Sequence, residues 1–306
     1  MLESRDFLTL DDLTPGELTE ILERARKAKE APDLFSSALA GRQVALIFEK
    51  PSTRTRVSFE AAVTSQGGHA IVLRSDELQL GRGETIEDTG RVLSRYVDCI
   101  VIRTFGQDRL ERLAEAASVP VINALSDQEH PCQGVADLQT ILEKHGHLDN
   151  VVLTYVGDGN NVAHALMVGG VKAGMEVRVA TPPEYEPYPR VVDRCREIAR
   201  DTGGRVMLSN DPRGAAKGAH VLYTDVWTSM GQETENEERV RALSDFQLSQ
   251  DLVNLSARDS IVMHCLPAHR GEEITAEVMD GPRSVVWDQA ENRLHSQKAL
   301  LTFLLR

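Results

Sequence analysis

The sequence predicts an α/β protein of two domains, each a parallel sheet flanked by helices. Three observations carry that prediction. Short apolar runs alternate with amphipathic stretches along the whole chain, as strands joined by crossover helices do. The runs VVLTYV and IVMHCL are apolar on both faces, the mark of strands buried between helix layers. The 306 residues form two such series, in keeping with about 150 residues per domain.

The first series opens with a helix signalled by Thr14, Pro15 and Glu17, a capping box with proline in the first turn. Strands are expected at Gln43–Phe48, Ala70–Leu73, Cys99–Arg103 and Pro120–Asn123. Helices are expected near Ser58–Gln66, Ile86–Arg95 and Leu110–Ala117. A polar loop, Ser126–Gln133, then leads into a helix ending near His145. The second series places strands at Val151–Val156, Glu176–Ala180, Val206–Leu208, His220–Thr224, Ile261–His264 and Val285–Trp287. A helix over Asn292–Leu305 closes the chain. The expected domains are 1–132 plus 291–306, and 133–290, with a bridging helix near 133–145.

Composition narrows the function. Lys and Arg number 34 against 47 Asp and Glu, a formal charge of −13. Such a surface repels nucleic acid and anionic membranes, so any bound anion needs a local basic pocket. No apolar run reaches transmembrane length, and the acidic start lacks the pattern of a secretory signal. Four scattered cysteines without a CxxC pair read as reduced thiols, which predicts a cytoplasmic protein.

In open α/β sheets, ligands bind beyond the carboxyl ends of the strands, so polar residues just after strands are the candidates. Ser52, Thr53, Arg54 and Thr55 follow the first strand and open a helix. Hydroxyls, guanidinium forks and unpaired helix N–H groups together suit a phosphate. Arg103 ends the third strand and is expected to point at the same anion. In EHPCQ, His130 can donate to a carbonyl oxygen as charge develops on it, and Gln133 can read an amide.

GDGNN follows VVLTYV, but Val162 stands where a dinucleotide fingerprint has its third glycine. The next strand also ends without an acidic residue for a ribose. These glycines read as a tight turn, with Asn161 facing the crevice. No P-loop occurs anywhere. Asp225 sits just past a strand end, where a carboxylate can hold a substrate ammonium, and Ser229 and Met230 follow on a loop. Cys265 and Leu266 follow another buried strand. The adjacent His264 and Cys265 do not have zinc-ligand spacing. Arg293 lies in the last helix.

Taken together, these segments resemble the aspartate/ornithine transcarbamoylase family from Phe48 to His295. STRT and HPCQ resemble its two carbamoyl-phosphate motifs, and TSMG (Thr228–Gly231) with HCLP (His264–Pro267) resemble its ornithine branch. The resemblance implies carbamoyl transfer from carbamoyl phosphate to L-ornithine, giving L-citrulline and phosphate in arginine metabolism, with biosynthesis as the expected direction. The alternative is a related enzyme using another amine, such as putrescine or an N-acylornithine. By motif position, Ser52, Thr53, Arg54, Thr55, Gln79, Arg103, His130, Gln133, Cys265, Leu266 and Arg293 would bind carbamoyl phosphate. Cys265, Arg103, His130 and Arg54 would carry the chemistry, and Asn161, Asp225, Ser229 and Met230 would bind ornithine. The resemblance also implies a homotrimer whose active sites are shared between subunits, with neither metal nor organic cofactor.

Overall fold

The computed structural model describes residues 6–74, 83–228 and 236–306. Contacts divide the chain into unit 1 (Met1–Gln139 with Asn292–Arg306) and unit 2 (Thr140–Glu291). These borders fall inside two helices, later along the chain than the sequence reading places them.

Unit 1 contains a four-stranded, all-parallel sheet. Its strands are β1 (Gln43–Phe48), β2 (His69–Arg74), β3 (Cys99–Arg103) and β4 (Val121–Leu125), in the order β2-β1-β3-β4. Around it run α1 (Pro15–Glu30), α2 (Thr53–Ser65), α3 (Ile86–Leu93) and α4 (Gln107–Ala116). The helix α5 (Pro131–His145) begins in this unit. The capping box holds: Thr14 N–H donates to Glu17 at 2.8 Å, and Glu17 N–H donates to Thr14 Oγ1 at 3.3 Å. Phe7 pairs with Val121 and Asn123 through its backbone, which covers the exposed edge of β4. Ala45, Ile47, Ile100 and Ile102 of the central strands form a core with Leu110 and Leu113 of α4.

Unit 2 contains a five-stranded parallel sheet in the order β7-β6-β5-β8-β9. The strands are β5 (Val152–Val156), β6 (Glu176–Ala180), β7 (Arg205–Ser209), β8 (Val221–Thr224) and β9 (Ile261–His264). Longer helices α6 (Asn161–Lys172) and α7 (Pro189–Thr202) are followed by the short α8 (Pro212–Ala216), α9 (Asn236–Leu243), α10 (Gln250–Val253) and α11 (Ala276–Met279). The last helix, α12 (Val286–Leu304), starts here and ends in unit 1.

Two elements differ from expectation. The expected strand at Val285–Trp287 does not form: Ser284 makes one isolated bridge to Val262, and Val286 already begins α12. A three-residue apolar run carries no period that separates strand from helix. Helix α2 begins at Thr53 instead of near Ser58, because Ser52 caps it by accepting from Thr55 N–H at 3.2 Å.

Strand order creates a switch point in each sheet, between β1 and β3 in unit 1 and between β5 and β8 in unit 2. At such a point neighbouring connections depart in opposite directions and leave a crevice at the carboxyl ends. The segments after these four strands begin at Glu49, Thr104, Gly157 and Asp225.

Candidate active site

In unit 1, the switch point gathers the basic residues that the sequence singles out. Ser52 is part-buried and Thr55 buried, while Thr53 and Arg54 stand exposed at the start of α2. Ser52 Oγ also donates to Thr55 Oγ1 at 3.1 Å. Arg56, on the same helix, pairs with Glu60 at 3.3 Å, so its guanidinium is engaged along the helix surface.

Arg103 is 9 % exposed at the end of β3. Its carbonyl accepts from Glu49 N–H at 2.9 Å, which ties the segment after β1 to β3. Glu49 in turn accepts from Arg109 Nη2 at 2.7 Å, from Arg109 Nε at 3.0 and 3.1 Å to its two oxygens, and from Thr104 Oγ1. Lys50 pairs with Asp127 and lies over the Phe105 ring at 4.3 Å. Glu49 and Lys50, between β1 and the α2 cap, are thus held in place by unit 1.

His130 precedes α5, and its carbonyl accepts from Gln133 and Gly134 N–H, each at 3.1 Å. The side chain is buried, and Nδ1 has no hydrogen-bond partner among the described residues. Burial pushes its pKa well below the ordinary histidine value, and Arg293, Arg103 and Arg54 push it the same way. The imidazole is therefore neutral at pH 7. A neutral ring can donate one hydrogen bond without adding a charge to three nearby arginines.

This shift fixes a pH dependence. Below about pH 6.5 the unfolded chain binds a proton at this histidine and the folded chain does not, so stability falls with acidification. Above that pH the contribution is constant. The slope of Tm against pH between pH 5 and 6.5 is expected to be shallower in His130→Asn than in wild type; equal slopes would show that His130 is not held neutral.

Arg293 of α12 completes this half. Its Nη1 donates to Gln133 Oε1 at 2.7 Å and its Nη2 to Thr55 Oγ1 at 3.4 Å. Gln133 Nε2 donates to Asp137 at 2.8 Å, which orients the amide. Cys132, beside it, is buried, and burial pushes its thiol up to about 12, so it is inert.

In unit 2, Asp225 is buried just after β8. Its Oδ1 accepts from Cys265 Sγ–H at 2.8 Å, and its Oδ2 accepts from Asn160 Nδ2 at 2.9 Å. Asn160 also caps α6, its Oδ1 accepting from Val162 and Ala163 N–H at 2.9 and 3.2 Å. Sequence reasoning selected the neighbouring Asn161, which opens α6, and missed Asn160. The preference of asparagine for the residue before a helix was the available signal. Gly159 lets the chain pass close to Pro187; a Cβ there would lie 2.4 Å from Pro187 N.

Beneath Cys265, His264 Nδ1 accepts from Leu266 N–H at 2.8 Å, so Nε2 carries the proton and donates to Glu273 at 3.1 Å. Leu266 has φ of +61°, a conformation costly for a branched side chain and here held by that hydrogen bond. His264, Asp225 and Cys265 offer ligand atoms within 4.8 Å of one another. Both nitrogens of His264 are already committed, so this trio reads as a device for orienting Cys265. The candidates Gln79, Ser229 and Met230 lie outside the described residues.

The arrangement can bind a phosphate and polarise a carbonyl in unit 1, and hold a cation beside a thiol in unit 2. Two family profiles match the chain: aspartate/ornithine carbamoyltransferase, carbamoyl-P binding domain, over residues 5–143, and the Asp/Orn binding domain over 149–304. The ornithine carbamoyltransferase of Acidothermus cellulolyticus is 60% identical over 98% of this chain and 96% of its own. The solved structure of that of Pyrococcus furiosus is 54% identical, with a TM-score of 0.94 over 98% of this chain and 96% of its own. That of Gloeobacter violaceus is 50% identical, with a TM-score of 0.90 over 99% of both chains.

Proposed function

Because the chain belongs to the aspartate/ornithine carbamoyltransferase family, we propose that it is an ornithine carbamoyltransferase acting through the two switch-point sites. It transfers the carbamoyl group of carbamoyl phosphate to the δ-amine of L-ornithine, giving L-citrulline and phosphate. Unit 1 binds carbamoyl phosphate and unit 2 binds ornithine. The observation that carries the site assignment is the buried set Thr55, Arg103, His130, Gln133 and Arg293 in unit 1.

Carbamoyl phosphate carries about two negative charges, which arginine forks and a helix N-terminus offset. Ser52, Thr53, Arg54, Thr55 and Arg103 hold the phosphate. Gln133, already oriented by Asp137, and Arg293 hold the carbamoyl amide. By motif position, Cys265 and the backbone at Leu266 are assigned to the carbamoyl group as well. Arg103, Thr55 and neutral His130 donate to the carbonyl oxygen as negative charge develops there.

The δ-amine attacks only after losing a proton, and such amines titrate near about 10.4. Asp225 and Cys265 orient it, while Asn161, Ser229 and Met230 hold the rest of ornithine. The proton lost before attack goes to solvent; a C–N bond then forms as the C–O bond to phosphate breaks, and the departing phosphate takes up the second proton, released by the attacking nitrogen. Asn160, by gripping Asp225, joins this set as a positioning residue.

Citrulline formation from carbamoyl phosphate and L-ornithine tests the reading, with putrescine and N-acetylornithine run alongside. The highest kcat/KM is expected for ornithine, and a better acceptor among the others would overturn the assignment of unit 2.

The biosynthetic direction is proposed on the same chemistry, since phosphate is the better leaving group. A cytoplasmic setting is supported by four cysteines that are all free. Among the described residues, no helix is long and apolar enough to cross a membrane. A homotrimer is proposed from the motif resemblance, and Val57 and Tyr96, 56% and 70% exposed on unit 1, are apolar surface that such contacts could use. Light scattering on the eluting protein is expected to give three times the 33.8 kDa chain mass.

A further inference from the structure

We propose that His269, Glu272 and Glu273 form a binding site for a divalent transition-metal ion of the zinc class, separate from the residues assigned to the two substrates. The motif is His-x-x-Glu-Glu in the turn that follows β9.

The first observation is geometric. His269 Nδ1 lies 3.6 Å from Glu272 Oε2 and 4.0 Å from Glu273 Oε2, and the three ligand atoms lie within 4.8 Å of one another. A tetrahedral ion with bonds of about 2.1 Å separates its ligand atoms by about 3.4 Å, so small adjustments suffice. Two carboxylates balance the charge of the ion, and with the imidazole they suit its preference for nitrogen and oxygen.

The second observation is independent of the spacing. Glu273 is fully buried, and its Oε2 has no hydrogen-bond partner among the described residues. Its other oxygen is fully used, accepting from His264 Nε2 at 3.1 Å and His269 N–H at 2.5 Å. A buried carboxylate oxygen left without a donor is costly. This one faces the His269 ring, and an ion there satisfies it. Glu272 and His269 remain 41% and 50% exposed, which leaves a path for entry and room for water ligands.

The turn is built before any ion arrives. Glu272 N–H donates to His269 O at 3.0 Å, and Gly271 N–H to Ile274 O at 2.8 Å. Gln247 Nε2 donates to the carbonyls of Gly271 and Glu272 at 3.0 and 2.7 Å. Gly271 has φ of +95°, which a side chain rarely adopts. An ion on Oε2 leaves Oε1 free to hold His264, one hydrogen bond from the segment carrying Cys265.

The test is titration of the full-length protein with Zn²⁺ and with Co²⁺, in wild type, His269→Ala, Glu272→Gln and Cys265→Ser. One ion per chain is expected in wild type and in Cys265→Ser, with a Co²⁺ spectrum lacking thiolate charge transfer. Affinity is expected to fall in His269→Ala and in Glu272→Gln by at least the about 10–100-fold that loss of an outer-shell partner costs. Thermal stabilisation by Zn²⁺ is expected to disappear in the same two variants. Unchanged affinity in both, an intense thiolate band abolished by Cys265→Ser, or no saturable binding would each overturn the proposal.

Discussion

Arg103→Ala is expected to lower kcat/KM for carbamoyl phosphate about 10²–10³-fold, the usual cost of removing a donor aimed at a developing oxyanion. The guanidinium sits at 9% exposure on the end of β3, where the strand order of unit 1 reverses. It cannot be replaced by rearrangement nearby, because its flanks are pinned. Its carbonyl accepts from Glu49 N–H, and Thr104 N–H donates to Leu125 O, both at 2.9 Å. Arg103→Lys keeps the charge and loses the planar fork, so an intermediate loss is expected. Steady-state kinetics with carbamoyl phosphate varied and ornithine saturating reads both variants. Circular dichroism and Tm check that each is folded. A loss below about threefold in Arg103→Ala would leave no transition-state role for this residue.

Asp225→Asn is expected to lower kcat/KM for ornithine about 10²-fold, the scale of a misplaced reacting group. The carboxylate receives two donors, Cys265 Sγ–H and Asn160 Nδ2, and both its oxygens are thereby aimed. An amide in its place keeps one acceptor and loses the charge that attracts an ammonium. KM for carbamoyl phosphate is expected to rise less than KM for ornithine, because the groups assigned to its phosphate lie in unit 1, while Cys265, which donates to Asp225, is shared with its carbamoyl group. Asn160→Ala, which frees Asp225 to turn, is expected to reduce kcat more than KM for ornithine. Equal losses toward both substrates in Asp225→Asn would point to a folding defect and remove the specific role.

Much of the candidate site could be nominated from local sequence because its parts follow local rules. Ser52 to Thr55 sit where a buried strand yields to a helix start, and hydroxyls with guanidinium groups there leave few uses other than anion binding. Asp225 and Cys265 stand just past apolar strands, which is also a local observation. Asn160 was missed because two adjacent asparagines offer equal chemistry, and only the helix start selects which one caps. Glu273 was missed because its partner His264 lies nine residues back, across a turn whose path no periodicity reveals. The false strand at Val285–Trp287 has the opposite cause. Three apolar residues satisfy either period, and the long helix that takes up Val286 and Trp287 is set by packing beyond the window.

Local pattern sufficed for the class of the fold and for the chemistry expected of each half-site. Side-chain period and helix caps act over a few residues and read the same wherever they pack. Long-range packing settled the strand orders β2-β1-β3-β4 and β7-β6-β5-β8-β9, and so which loops share a crevice. It also decided that Arg293 grips Gln133 and Thr55 across separations of 160 and 238 residues. Such pairings depend on which apolar faces bury together, a choice made by the whole core and carried by no single segment.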